Sequence, residues 1–140
     1  MVTTQQGSNP AAETSAAYWT PARLENAKRA LSARVTALRA DIARELRKYD
    51  EERYGLVASN VADSAELSIA DVIGDLYLAE IDRDVRELRD VENALHRIAA
   101  RSYGICVDCG RGIDPRRLEA TAHAARCLPC QETAERAGGR

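Results

Sequence analysis

The sequence predicts a mainly α protein: a long antiparallel helical hairpin of coiled-coil type, a small four-cysteine zinc-finger lobe and a short C-terminal helix. Three observations lead there. Two long stretches repeat apolar residues every three or four positions, which is the period of one helix face. All four cysteines stand together near the C-terminus as Cys106-x-x-Cys109 and Cys127-x-x-Cys130. The 140 residues include no Phe and one Trp, with 4% aromatic and 30% charged side chains. That suits narrow aliphatic seams and a metal-stapled lobe better than a large globular core.

Residues 1–19 are rich in Thr, Ser, Gln and Ala without periodicity, and are expected to form a mobile N-terminal tail. Tyr18 and Trp19 close it as large apolar groups expected to dock and staple the first helix. Thr20-Pro21 then reads as a helix start, a capping hydroxyl followed by proline at the first helical position. The seam runs Leu24, Ala27, Leu31, Val35, Leu38, Ile42, Leu46 and Tyr49, and the helix is expected to continue to about Arg53. Gly55 breaks the pattern, so residues 55 to about 63 are expected to be irregular.

A second seam follows: Ile69, Ile73, Tyr77, Ile81, Val85, Leu88, Val91, Leu95 and Ile98. Two matching seams joined by a short turn fold back as a hairpin over 20–102, with its tip near 55–66. The chain has no room for further helices that would bury these two in an ordinary bundle. Residues 103–140 form the lobe: a turn over Gly110 to Pro115, a short extended or turn segment at Arg116–Ala120, and a short helix over Gln131 to Arg136.

A pair of C-x2-C motifs is the spacing of a four-thiolate zinc site. Gly104, Gly110 and Gly112 flank the first pair and permit the backbone angles of a tight turn, and Pro129 stiffens the second. Four thiolates close the shell of a Zn2+ ion, leaving no position for water or substrate, so one structural Zn2+ on Cys106, Cys109, Cys127 and Cys130 is expected. Two disulfides would suit a secreted chain, but no secretory signal is present. A thioredoxin-like redox pair needs only one such motif beside a βαβ pattern. An iron–sulfur cluster also uses four cysteines, and spacing alone leaves it open. His123 lies between the pairs but reads as a surface residue, and His96 sits in a helical pattern.

The formal charge is −2, which does not favour nonspecific binding to a nucleic-acid backbone. No transmembrane run and no signal segment is read, so no membrane association and a cytoplasmic location with reduced, metal-bound cysteines are expected. No nucleophile–base pair, phosphate loop or open metal site stands out, so the chain is not expected to be an enzyme.

Tyr103-Gly104, Cys106-x-x-Cys109-Gly110, Ile113, Arg116-Arg117-Leu118-Glu119-Ala120 and Cys127-x-x-Cys130, behind a long helical hairpin, resemble the DksA/TraR family of bacterial transcription regulators. The resemblance is strong over Tyr103 to Cys130 and architectural before it. It implies a protein that binds RNA polymerase and not DNA, inserting the hairpin into the secondary channel to modulate initiation. Family members carry a D-x-x-D-x-A pattern at the tip. Two registers offer it here: Asn60 to Ala65, which lacks the first acid, and Asp63-Ser64-Ala65-Glu66-Leu67-Ser68, which keeps both. The second agrees better with the distance to the first cysteine, making Asp63, Glu66 and Ser68 the expected polymerase-modulating tip. Asp63-x-x-Glu66 is equally a capping box for the second helix, and both readings hold together.

Members that respond to ppGpp carry basic residues after R-R-L-E-A and after the last cysteine. Thr121 and Gln131 stand there in this chain, so ppGpp is not expected to be used in the familiar way. The chain is expected to be a monomer. Two other classes compete. One is a DNA-binding zinc protein using Arg111, Arg116, Arg117 and Arg126, although Asp108, Asp114 and Glu119 interleave them. The other is a coiled-coil adaptor for some other partner.

Overall fold

The computed structural model describes the backbone of residues 15–59 and 64–138 and the side chains of residues 15–55 and 71–138. Among the described residues, a helical turn at 15–18 precedes four helices: α1 Pro21–Ser59, α2 Ser64–Ala99, α3 Pro115–Ala120 and α4 Leu128–Gly138. The only pairing of β type among the described residues is one antiparallel bridge, Ile105 with Gly112. Two compact units result. The described residues through Ser32 and from Asp90 onward make one, and Ala33–Arg89 make the other.

In the second unit α1 and α2 run antiparallel. Arg34 forks onto Glu87 at 2.7 and 2.8 Å, Tyr77 Oη donates to Glu52 at 2.9 Å, and Gly74 lies against the Tyr49 ring. Along the seam of this unit the half-buried or buried positions are Val35, Leu38, Ile42, Glu45 and Tyr49 on α1 and Gly74, Tyr77, Ile81, Asp84 and Leu88 on α2, with Asp41, Val85 and Glu87 half-buried beside them. Steps of four and three alternate strictly, which is the coiled-coil repeat. That register corrects the expected seam at two places. Leu46 is 43% exposed and Glu45 takes its inward position, with Lys48 on its carboxylate at 3.3 Å. Ile73 is displaced outward because Gly74 leaves room for the Tyr49 ring.

Helix α1 outlasts its expected end at Arg53. Gly55 lies inside it, with no positive φ and open space where a Cβ would stand. One glycine costs a helix about 0.5–1 kcal/mol, too little to stop a helix held along a seam. Residues 55–59 of the expected irregular segment are therefore helical, and its residues 60–63 lie outside the described residues.

Helix α2 ends in a Schellman motif. Ser102 N–H bonds the Arg97 carbonyl at 2.9 Å, Arg101 N–H bonds that of Ile98 at 3.2 Å, and Arg101 takes the left-handed φ of 60°. The expected extended segment at Arg116–Ala120 is instead α3. Asp114 caps it, its Oδ1 accepting from Arg116 N–H at 2.9 Å, and Pro115 takes the first helical position. Helix α4 begins three residues earlier than expected, directly after Cys127.

The first unit also holds part of the stretch expected to be a mobile tail. Residues 15–18 are helical, Ser15 is buried, and Trp19 packs edge-on against Tyr103 with ring centroids 4.8 Å apart. Tyr18 and Trp19 therefore dock on the lobe, and Tyr18 Oη hydrogen-bonds Glu119 of α3. Residues 1–14 of that stretch lie outside the described residues. Among the described residues, no helix is long and apolar enough to cross a membrane.

Candidate metal centre

Two different local structures present the two cysteine pairs. The first is a knuckle. The Ile105–Gly112 bridge turns the chain, Cys106 N–H bonds the Arg111 carbonyl at 2.8 Å, and Gly110 N–H bonds the Cys106 carbonyl at 3.0 Å. Gly110 takes φ 71°, which a side chain would resist. Gly104 and Gly110 have positive φ, whereas Gly112 serves the bridge and not a left-handed turn. The second pair is not on a turn: Cys127 precedes α4 and Cys130 lies in its first turn, with Gln131 N–H bonding the Cys127 carbonyl at 2.9 Å. Free backbone N–H groups at a helix N-terminus favour thiolates.

The four sulfurs converge to within 4.8 Å of one another. Cys106 is buried, Cys127 and Cys130 are half-buried, and Cys109 is exposed, its Sγ 3.8 Å from that of Cys127. Burial would push the Cys106 thiol up, but the backbone N–H groups of Cys109, Cys127 and Asp108 outweigh it and hold Cys106 down at about 6. Cys130 is pushed up to about 12, first by its hydrogen bond with Cys127, then by desolvation and the other thiols. A cluster that ionises one sulfur readily and resists ionising the next is short of positive charge. A divalent cation supplies it, and an all-sulfur tetrahedron fits Zn2+. His123 is outside the cluster; its backbone carbonyl receives Arg97 at 3.3 Å.

The loop joining the pairs is held by side chains. Tyr103 Oη donates to the Ala122 carbonyl at 2.7 Å, Arg97 reaches the carbonyls of His123 and Ala124, and Arg117 Nε donates to that of Arg126 at 3.0 Å. Arg126 in turn pairs with Asp108 at 2.5 Å, tying the second pair's approach to the first knuckle. Ile113, Leu118, Ala124 and Cys106 are all buried residues of this unit. Neither Tyr103 nor Arg97 stands out in the sequence as a support of the site, whereas the Arg126–Asp108 pair follows from the acids that interleave the lobe's arginines. The signal available was the Asp114-Pro115 start, which marks a helix and so places Arg117 on it.

The expected tip residues fare differently. Asp63 lies outside the described residues. Glu66 and Ser68 fall on α2, but their side chains lie outside the described ones.

Residues 101–136 match the family model of the prokaryotic dksA/traR C4-type zinc finger. The chain is 30% identical over 118 residues, 84% of its length and 75% of the relative's, to the RNA polymerase-binding transcription factor DksA of Salmonella typhimurium. It is 29% identical over the same span to its Escherichia coli K12 counterpart. The solved structure of transcription factor DksA2 from Pseudomonas aeruginosa superposes with a TM-score of 0.70 at 25% identity, covering 89% of this chain and 92% of that one. The donor set and the finger type agree on one structural zinc. With similarity extending from the finger through the helices over most of both chains, the protein belongs to the DksA/TraR family of C4-type zinc-finger proteins.

Proposed function

We propose that this protein is a non-enzymatic transcription regulator that binds RNA polymerase. The observation that carries the reading is the joint match of finger and hairpin. The relative that covers 84% of the chain is named for polymerase binding, and the neighbour of the same fold is a transcription factor. Cys106, Cys109, Cys127 and Cys130 hold the zinc, which fixes the lobe and takes no part in chemistry. The hairpin tip, with Asp63, Glu66 and Ser68, enters the polymerase secondary channel and modulates initiation. The protein acts as a monomer in the cytoplasm, without direct sequence-specific DNA binding. Of the four arginines that suggested DNA, Arg117 and Arg126 are engaged within the lobe, which supports a protein partner. Thr121 and Gln131 leave a polyphosphate such as ppGpp without the cations it needs.

The test is a pull-down with bacterial RNA polymerase followed by site-directed crosslinking from position 63. Crosslinks to secondary-channel elements are expected. Asp63→Ala and Glu66→Ala should abolish the effect on transcription while leaving binding largely intact. A gel shift on promoter DNA without polymerase, or no polymerase binding at micromolar concentration, would overturn the reading.

A further inference from the structure

Helix α2 carries two apolar faces in its N-terminal half. One faces α1, where Gly74 and Tyr77 meet Tyr49 and Glu52. The other is made by Val72, Leu76 and Ala79 at i, i+4 and i+7 spacing. At about 100° per residue these three stand roughly 100–160° around the helix from Tyr77, on the outer side. Val72 is 60% and Leu76 63% exposed. A single exposed aliphatic side chain is ordinary, but adjacent ones aligned in a stripe mark a surface that is covered in use.

Acids border this stripe. Asp71, Asp75 and Asp82 follow one edge and Glu80 the other, all exposed. Between Asp63 and Asp82 the chain has no Lys, Arg or His. Arg86 pairs with Asp82 at 2.5 Å, whereas no ion pair within 4 Å among the described residues engages Asp71 or Asp75, Asp71 acting on Arg53 of α1 only at longer range. These charges select the occupant. A second copy docking the same face would set the acidic edges against each other, and a nucleic-acid backbone is repelled. What remains complementary is an apolar surface rimmed by Lys or Arg.

We propose that the outer face of α2 around Val72 and Leu76, with Asp71 and Asp75 at its edge, is a docking surface for an apolar, basic-rimmed site on RNA polymerase. The proposal rests on the polymerase-binding reading and adds a contact on the helix flank, apart from the tip acids. Apolar burial supplies the affinity, and the aspartates supply orientation and association rate.

The test uses the full chain with zinc bound. Wild type, Val72→Ser/Leu76→Ser and Asp71→Lys/Asp75→Lys compete for labelled bacterial RNA polymerase core at low and high salt. Circular dichroism and zinc content verify that each variant is folded. The serine pair should weaken binding about tenfold or more at both salt concentrations. The lysine pair should weaken it strongly at low salt and much less at high salt. Folded variants that bind as tightly as wild type overturn this face while the polymerase reading stands. A wild type that does not bind polymerase sinks both. A wild-type dimer in sedimentation that the serine pair converts to monomer also overturns the proposal, since the face would then be an interface between copies.

Discussion

Ser15 Oγ donates a hydrogen bond to the Gly104 carbonyl at 3.0 Å, joining residues 89 apart in the chain. That carbonyl also accepts from Ile113 N–H at 2.7 Å, so one peptide group ties the N-terminal segment to the knuckle. Gly104 makes the approach possible. Its φ is 86°, and a Cβ there would stand 2.7 Å from Trp19 Nε1 and 2.8 Å from Ser15 Oγ. Gly104→Ala should therefore destabilise the lobe by two separable effects, left-handed strain of about 1–2 kcal/mol and displacement of the N-terminal segment. Ser15→Ala removes one hydrogen bond and should cost about 0.5–1.5 kcal/mol. Trp19 is the sole tryptophan, so its emission in a denaturant titration reports both. Equal stability of Gly104→Ala and wild type would show that the N-terminal segment does not close on Gly104.

The same tryptophan reports zinc. It packs on Tyr103, and three residues later Cys106 enters the sulfur cluster. Stripping the metal with a chelator should shift Trp19 emission to the red, release one zinc per chain and free four reactive thiols. Cys106→Ser should lose the ion outright, because the backbone N–H groups aimed at the sulfur stabilise a thiolate there. Unchanged Trp19 emission in the fully stripped protein would mean that the lobe's packing, not the metal, holds the site.

Tyr103 offers a prediction in pH. Burial pushes its hydroxyl up to about 12, against the lowering influence of Arg97, and the proton it keeps is the one donated to Ala122. The folded pKa is raised above the ordinary value of about 10. Its stabilising contribution is thus complete below about pH 10 and is lost as pH rises toward 12. Ultraviolet titration of the five tyrosines should show a late-ionising component that Tyr103→Phe removes. Tyr18 and Tyr77 are also raised, each by its hydrogen bond to a carboxylate, so the variant comparison makes the assignment. Loss of the late component in Tyr77→Phe and not in Tyr103→Phe would refute it.

The helices and the cysteine cluster were legible in the sequence because each depends on spacing alone. Leu31, Val35, Leu38 and Ile42 lie one helical turn apart, and C-x2-C brings two sulfurs to one side of any tight backbone path. What spacing could not supply was competition between neighbours. Leu46 and Glu45 both lie within a residue of the seam, and strict alternation of three and four put the glutamate inward. The sequence leaves Ser15 in a tail, and predicts that Trp19 docks without naming where, because their partner, Gly104, is remote in the chain. At Arg116–Ala120 the difference is local: Asp114-Pro115 announces a capped helix, and Leu118 on it is buried and lines one hollow with Trp19 and Tyr103.

Gly55 puts the length of α1 to a direct test. A glycine between two seams reads as a break, yet helix α1 continues four residues past it to Ser59. Its φ is not left-handed, and nothing lies within 4 Å of where a Cβ would stand. If the helix runs through, Gly55→Ala removes backbone freedom from the unfolded chain and adds no clash. It should stabilise the protein by about 0.5–1 kcal/mol. If residue 55 instead ended the helix in a left-handed turn, the same substitution would cost a similar amount. The sign of the change in denaturation midpoint, with the slope unchanged, decides between them. Gly55→Pro gives the opposing control. Proline inside a continuous helix removes a hydrogen bond and clashes with the preceding turn, at a cost of about 3 kcal/mol or more, whereas a loop would accept it at little cost.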